Sequence, residues 1–183
     1  MSECVKVLRD ELPYNLHIFV NSVEFIAKVI DTLKLAPEAV KIVCSTSGDS
    51  RQENQRKLGN AYPIGQPSDP AKKINFYTST CFEGCDIFDP DGVTFIVSDG
   101  RKAHTLLDIS TLFTQICGRI RDSRYKTQIV HVYSTTKYSK AVTLDEFVAA
   151  TQRTLADAEK FASDINAVDE PSREKLLKKI PYI

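Results

Sequence analysis

The sequence lacks the signals that direct a protein into or across a membrane. It contains no run of about 18 apolar residues, so it offers no candidate for a membrane-spanning helix. The N-terminal Met1-Ser2-Glu3-Cys4 does not have the basic-then-apolar pattern of a secretory signal peptide. We therefore expect no membrane association and a location in the cytoplasm or another reducing compartment.

The sequence also lacks an excess of charge, a disulfide framework and a metal-ligand pattern. Lys and Arg total 24 and Asp and Glu total 24, so the net charge is zero and any contact with nucleic acid must be local. The cysteine number, 5, is odd, which favours reduced thiols. A zinc site needs about four ligands, and the C-x3-C pair of Cys81 and Cys85 has no histidine near it in the sequence. No metal site is predicted.

What the sequence does contain is an alternation of strand-like and helix-like segments. Its 183 residues, 42% hydrophobic and 26% charged, suit a folded domain with a sizeable core. The alternation predicts an α/β fold with three layers, in which a mostly parallel sheet of about five or more strands carries helices on both faces. The strand-like runs are 16–20, 40–44, 74–78, 93–97 and 128–133, and the helix-like runs are 23–33, 51–58 and 106–120.

A helical extension is predicted after the last strand. Thr143 and Glu146 have the spacing of a capping box, and a long helix to about residue 166 should follow them. Pro171 then precedes a basic stretch that predicts a terminal helix over 172–179, whose lysines are typical of a solvated helix end. The predicted division of the chain is a lead-in over 1–15, the α/β domain over 16–134 and the extension over 135–183.

Polar residues follow the predicted strands, at the positions where α/β folds bind ligands. Hydroxyls, glycines and helix N-termini present N–H and O–H donors to phosphate oxygens, and arginines on a helix suit a nucleotide phosphate. Each group by itself is equally typical of a turn or of a solvated helix. The groups are Asn21-Ser22, Ser45 to Ser50, Thr78 to Ile87 and Gln115 to Arg121.

With these groups in this order, the chain resembles the second RecA-like lobe of a superfamily 2 helicase. The stretch from Thr78 to Ile87 resembles motif V, T-D-x-x-x-x-G-x-D-I, and the stretch from Gln115 to Arg121 resembles motif VI, Q-x-x-G-R-x-x-R. Two weaker similarities are Leu16 to Asn21 with the motif IV strand and Ser47 to Gln52 with the H-G-D-x-x-Q stretch of DEAD-box members. The match covers about residues 15–134, and its motif VI is closest in form to that of viral and phage-type DNA helicases.

The resemblance implies an ATP-dependent helicase or translocase with a RecA-like fold, in which ATP lies between two lobes. It implies that Arg119 and, as the lesser candidate, Arg121 stabilise the charge on the transferred phosphoryl group. It also implies ATP contacts at Gly84, Asp86, Gln115 and Gly118. Contacts with the backbone of a nucleic-acid strand, DNA in preference to RNA, are implied at Asn21, Ser22, Ser47, Gly48, Thr78 and Ser79.

The half of such an enzyme that binds phosphates and Mg²⁺ is missing from this sequence. Neither a G-x-x-x-x-G-K-[ST] loop nor a D-E-x-[DH] box is present. The resemblance therefore implies that the N-terminal RecA-like lobe of the same enzyme is a partner and holds most of the ATP and its Mg²⁺. We expect the chain to be part of a larger enzyme and to be inactive in ATP hydrolysis by itself.

Several positions depart from the family pattern. Asp122 stands where motif VI usually has its second arginine, Arg121 lies one position early, and Ser47 and Ser79 replace a common His and Asp. These changes leave a second interpretation open, a non-catalytic interaction or scaffold module derived from a helicase lobe, with its C-terminal helix docking a partner. A third, a free-standing doubly wound nucleotide-binding protein, lacks the glycine-rich loop expected after the first strand.

Overall fold

A computed structural model describes residues 2–134, 142–170 and 172–173. These residues belong to two compact units, one within residues 2–134 and the other from residue 142 onward. The helices of the first unit are α1 (Ser2–Leu8), α2 (Val23–Leu33), α3 (Ser50–Leu58) and α4 (Thr114–Cys117), and its strands are β1 (Asn15–Phe19), β2 (Val40–Val43), β3 (Ile74–Tyr77), β4 (Gly92–Asp99) and β5 (Ile129–Ser134). The second unit contains α5 (Leu144–Asn166).

The five strands form one parallel sheet in the order β2-β3-β1-β4-β5. β1 lies in the middle and pairs with β3 on one side and β4 on the other. Parallel neighbours require crossover connections, which the helices and loops between the strands provide. The predicted α/β class, with a parallel sheet between layers of helical structure as in RecA-like folds, is confirmed, and every predicted strand overlaps an observed one.

The α2 helix connects β1 to β2 and covers one face of the sheet. Ser22 caps its N-terminus by accepting a hydrogen bond from the backbone N–H of Phe25 at 3.2 Å. Lys34 ends it in the left-handed conformation, with φ at 49°. Ile26 and Ile30, one turn apart, are buried on the side of the helix that faces the strands.

This side of the sheet, which we call the α2 face, has an apolar core. Leu16 and Phe76 of the strands pack with the buried residues of α1, α2 and α3. The α1 helix lies within the predicted lead-in over 1–15 and was not predicted as a helix; it contributes the buried Cys4 and Val7. Regular helices with one apolar side therefore close this face.

The opposite side, which we call the polar face, combines an apolar cluster around Phe19 with a row of polar side chains. Lys41, Asn75, His17 and Thr94 pair in register across β2, β3, β1 and β4, and all four are buried. Buried polar groups need hydrogen-bond partners. The Lys41 Nζ donates to backbone carbonyl oxygens in the loop before β3, and the Asn75 side chain donates to the Leu16 carbonyl at 3.1 Å.

The predicted continuous helix over 106–120 is wrong. The segment contains a π-helical turn at Ile109–Phe113 and the short α4, and a 3-10 turn at Ala103–Thr105 precedes it. The Asp108 side chain accepts from the Ser110 N–H, its carbonyl accepts from the Phe113 N–H at 2.9 Å, and both bonds favour the wider turn. Gly118 then ends α4. Arg119 and Arg121 consequently follow the helix instead of lying on it.

The second unit consists mainly of α5. Its predicted bounds and its capping box between Thr143 and Glu146 are confirmed. The predicted terminal helix over 172–179 lies outside the described residues, apart from Ser172 and Arg173. Within the parts of the chain that the structure describes, no helix is both long enough and apolar enough to cross a bilayer.

Candidate functional site

The two stretches that resemble motifs V and VI are paired side by side. The Ile87 N–H donates to the Arg119 carbonyl at 2.9 Å, and the Arg121 N–H donates to the Ile87 carbonyl at 3.0 Å. Ile87 and Ile120 thereby form an isolated parallel bridge, and both side chains are buried in the apolar cluster of the polar face. We call residues 84–91 and 118–124 together the paired ribbon.

Arg119 lies across the paired ribbon and is held by backbone oxygens. Its Nε donates to the Gln115 carbonyl at 2.9 Å, and one terminal nitrogen donates to the Cys85 carbonyl at 3.1 Å. Cys85 lies between Gly84 and Asp86, so the structure brings Arg119 next to these two predicted ATP contacts. Within residues 2–134, no carboxylate pairs with the Arg119 guanidinium, and its full positive charge is retained.

Arg121 differs from Arg119 because a carboxylate neutralises it. Its Nε donates to the Asp86 Oδ1 at 2.7 Å. Both side chains are about half exposed, at 48% and 49%, and such a pair contributes little to stability. Asp86, one of the predicted ATP contacts, therefore binds Arg121 through one carboxylate oxygen in this structure.

Asp122 has a structural contact that accounts for an aspartate at this position. Its Oδ1 accepts a hydrogen bond from the Asp89 N–H at 2.8 Å, across the paired ribbon. An arginine side chain has no acceptor and could not make this bond. Arg124 makes a further contact along the ribbon with the Asp91 carboxylate.

A buried polar network anchors the ribbon to β1. The fully buried His17 has its Nε2 at 2.8 Å from the Asp89 Oδ2 and its Nδ1 at 3.1 Å from the Tyr77 hydroxyl. Burial by itself would raise the pKa of Asp89, but hydrogen bonds from His17, Asn15 and a backbone N–H outweigh it and lower the pKa. Gly92 leaves room for the imidazole, because a Cβ there would lie 2.9 Å from Nε2.

Asn21 connects two loops at the carboxyl edge of the sheet. Its Nδ2 donates to the His104 carbonyl at 2.8 Å, and its Oδ1 accepts from the Ser79 N–H at 3.4 Å. The loops after β1, β3 and β4 therefore meet at Asn21. Of the predicted strand contacts, the structure brings Asn21, Thr78 and Ser79 together.

The other predicted strand contacts are arranged differently. Ser22 is buried and serves as the N-cap of α2, so its hydroxyl is already engaged. Ser47 and Gly48 lie in the exposed loop between β2 and α3, where the Ser47 hydroxyl bonds to that of Ser45 at 3.0 Å. Gly48 has a φ of 53°, a conformation that favours glycine. No contact joins this loop to Asn21 within the first unit as described.

The cysteines are free thiols, and Cys81 and Cys85 lie close together. The Cys85 thiol donates to the Cys81 carbonyl at 3.2 Å. Burial, reinforced by the neighbouring Cys85, raises the pKa of Cys81 to about 12. Among the described residues, no group of His, Cys, Asp and Glu side chains is arranged to hold a metal ion.

The contacts of His17, Asp89 and Asp122 were not predicted from the sequence. His17 lies within the apolar run 16–20, where the pattern predicts a strand and assigns the imidazole no partner. Asp89 and Asp122 are 72 and 105 residues away from it along the chain and belong to loops. The one feature of the sequence that could have indicated such a contact is Asp122, an aspartate at a motif VI position that usually holds arginine.

Comparison of the chain with models of protein families finds no match, and curated protein sequences and solved structures likewise give none. The resemblance to superfamily 2 helicases consequently rests on the motifs themselves.

Proposed function

We propose that this chain is the second lobe of an ATP-dependent nucleic-acid helicase or translocase. In this role the paired ribbon faces ATP that is held mainly by an N-terminal RecA-like lobe, and the carboxyl edge of the sheet holds the backbone of a nucleic-acid strand. The observation that carries the proposal is the position of Arg119. It lies against the Gly84–Asp86 stretch and has no carboxylate partner among residues 2–134.

The contacts of the two arginines support different roles for them. A guanidinium can stabilise charge on a phosphoryl group only if its own charge is available. Arg119 donates two hydrogen bonds to neutral backbone carbonyls, so no carboxylate offsets its charge, whereas Arg121 is paired with the Asp86 carboxylate. We therefore assign phosphate stabilisation to Arg119, and to Arg121 only the surface ion pair with Asp86. Gly84, with φ at 70° and nothing within 4 Å of an added Cβ, leaves its backbone open to a nucleotide.

The exposed groups at the carboxyl edge support strand binding. Ser79 and Thr80 are exposed next to Asn21, and Ser47 and Gly48 are exposed beyond the end of β2. Hydroxyl and backbone N–H groups contact phosphates without reading the bases. A zero net charge limits general attraction to nucleic acid, so the affinity depends on these local donors.

Magnesium and most of the ATP contacts are assigned to the partner lobe. The described residues offer cationic and N–H donors to a nucleotide but no cluster of carboxylates for Mg²⁺. This donor set fits the phosphate side of an ATP site and requires another domain for the metal. The N-terminal lobe of the same enzyme is therefore the partner in this proposal, and DNA is the preferred strand.

The test compares Arg119→Ala with Arg121→Ala in the enzyme that includes the N-terminal lobe. Arg119→Ala should lower strand-stimulated ATP hydrolysis at least about a hundredfold with little change in ATP affinity, because it removes charge that acts in the transition state. Arg121→Ala, the matched control, should lower it less than about tenfold. Arg119→Lys should restore little activity, since lysine lacks the planar fork. Equal effects of the two alanine variants would contradict the assignment.

A non-catalytic interaction module is the second candidate, and the surface of α5 favours it. Leu144, Leu155 and Phe161 are exposed on this helix, at 75%, 59% and 52%. Exposed apolar residues in such number are typical of a helix that docks a partner. Under this interpretation Arg119→Ala leaves ATP hydrolysis unchanged, and the chain binds no single-stranded oligonucleotide.

A further inference from the structure

The sheet has a crevice that the motif comparison does not assign. After β1 the chain crosses to β2, on the β3 side of the sheet, and after β4 it continues to β5 on the other side. Adjacent parallel strands whose connections leave in opposite directions open a crevice at their carboxyl ends, where α/β proteins bind ligands. We call this position the β1/β4 crevice.

The β1/β4 crevice contains two cavities that share part of their lining. The larger, of about 430 Å³, lies between α2 and the loop after β4, and this size falls within the roughly 300–1,000 Å³ typical of small-ligand sites. The smaller cavity reaches towards the sheet as far as Ser22 and Thr105. The lining of the larger cavity includes Phe25, the cations Lys28, Arg101 and Lys102, and the carboxylates Glu24 and Asp99.

We propose that the β1/β4 crevice takes up one nucleotide of a single nucleic-acid strand, with the base against Phe25 and the phosphate at Lys28, Arg101 and Lys102. This inference rests on the strand binding proposed above and adds a base contact to it. The Phe25 side chain is partly exposed and lines both cavities. Proteins hold a single strand without reading its sequence by combining hydrogen-bond donors and cations, which contact the phosphates, with an aromatic ring, on which a base stacks.

The charges of the crevice suit a phosphate that arrives from outside. Lys102 pairs with Glu24 at 3.1 Å, and Arg101 pairs with Asp99. Lys28 has no ion-pair partner within residues 2–134. Glu24 is 78% exposed, so its pair with Lys102 is solvated and weak, and a phosphate can compete with this carboxylate for the cation. Arg101 is held more firmly, because its Nε and one terminal nitrogen both donate to Asp99, which is 24% exposed, and it offers a phosphate only its remaining N–H groups.

The crevice is continuous with the proposed strand contacts. Asn21 directly precedes Ser22, which lines the smaller cavity, and it joins the loop after β3 to the loop after β4 through Ser79 and His104. Neighbouring strands of a sheet lie about 4.8 Å apart, so the ends of β2 and β4 are about 14 Å apart, across three strand intervals. A single strand of two to three nucleotides can extend over this distance, from Gly48 to Phe25.

The first experiment measures binding of two fluorescent oligonucleotides to the chain at low, fixed salt. One is a thymidine 12-mer, and the other is an abasic 12-mer with the same phosphates. The wild-type chain should bind the thymidine strand on the order of tenfold more tightly, the difference expected for one stacked base. Phe25→Leu, which keeps an apolar side chain on the core, should remove this preference and leave abasic binding unchanged. Asn21→Ala should lower the affinity for both oligonucleotides by the same factor.

A second variant gives a gain of binding, which a misfolded protein cannot produce. Glu24→Gln removes the carboxylate that pairs with Lys102 and should increase the affinity for both oligonucleotides roughly threefold. Asp31→Asn is the matched control. It makes the same charge change on the same side of α2, about 10 Å further along the helix, next to Lys34. Asp31→Asn should change the affinity by less than Glu24→Gln.

The outcomes separate this proposal from the proposed function. Equal affinity of the wild-type chain for both 12-mers, with Asn21→Ala still weakening them, overturns the base pocket and leaves strand binding in place. No binding of either 12-mer overturns both. Displacement of the thymidine strand by free thymidine monophosphate at the same concentration of nucleotides overturns the assignment to a strand, because the crevice then binds free nucleotides.

Discussion

The two faces of the sheet are built in different ways. On the α2 face, regular helices bury apolar side chains such as Ile26 and Ile30 against the strands. On the polar face, loops, short turns and the paired ribbon cover the sheet, and their backbone groups are satisfied by individual side chains such as Asp89 and Asp122. A regular helix satisfies its own backbone, whereas an irregular segment needs partners for it.

This difference explains where the candidate site lies. Arg119 binds the Cys85 carbonyl, which lies in the irregular ribbon, and shares the Gln115 carbonyl with the Gly118 N–H at the end of α4. The same irregularity leaves Gly84 exposed with a positive φ. The α2 face is closed by regular helices, and the polar face supplies the exposed groups of the paired ribbon. This arrangement requires a buried polar network in which every group has a hydrogen-bond partner, because an unpaired buried polar group is destabilising.

The largest expected effect comes from removing the anchor of the polar face. Asp89→Ala leaves the buried His17 without its carboxylate partner and should lower the free energy of unfolding by about 3–5 kcal/mol. Ile26→Ala on the α2 face should cost about 3 kcal/mol. Urea denaturation measures both. Hydrogen exchange separates them, because Asp89→Ala should accelerate exchange of the Ile87 and Arg121 amides beyond the global effect, and Ile26→Ala should not.

Asp89 should also make the polar face sensitive to acid. Its hydrogen bonds hold its pKa below the ordinary 3.8 in the folded chain. Such a carboxyl stabilises the fold above about pH 4, and this contribution is lost as the pH falls through the lowered pKa. Asp89→Asn should therefore reduce the loss of unfolding free energy between about pH 5 and pH 2. Asp31→Asn, on the exposed surface, should keep the wild-type slope, and a wild-type slope in Asp89→Asn would refute the assignment.

A smaller effect is expected at the cap of α2. Ser22→Ala removes the hydrogen bond to the Phe25 N–H and should lower the free energy of unfolding by about 1 kcal/mol. Ser22→Asp should restore most of it, because aspartate also caps a helix. Thermal denaturation of the three proteins gives the comparison. If Ser22→Asp remained as unstable as Ser22→Ala, the capping role would be ruled out.

Patterns in the sequence were sufficient for the regular elements. The apolar spacing of α2 and the capping box of α5 predicted both helices, and the apolar runs predicted all five strands within a few residues. The pattern over 106–120 failed because apolar spacing does not report on Asp108, whose side chain and carbonyl shape a π-helical turn. The α1 helix was missed because its seven residues carry too short a pattern.

The candidate site was predictable in part. The motif stretches named Gly84, Asp86, Gln115 and Arg119, and the structure brings these together. It was not predictable that Asp86 would bind Arg121, because the orientation of two side chains 35 residues apart depends on the pairing of the ribbon. The β1/β4 crevice was equally hidden, since it arises from the order of the strands.

The sequence alone determined the alternation of strands and helices, because periodic burial of apolar side chains is a local property that each segment carries by itself. It also predicted which residues of the motif stretches bind phosphates, and this remains a prediction. Only the tertiary structure decided that His17 joins Asp89, that Arg121 pairs with a carboxylate while Arg119 does not, and that a cavity opens beside Phe25. Each of these depends on residues far apart in the chain that meet when the sheet assembles, and no local pattern encodes such a meeting.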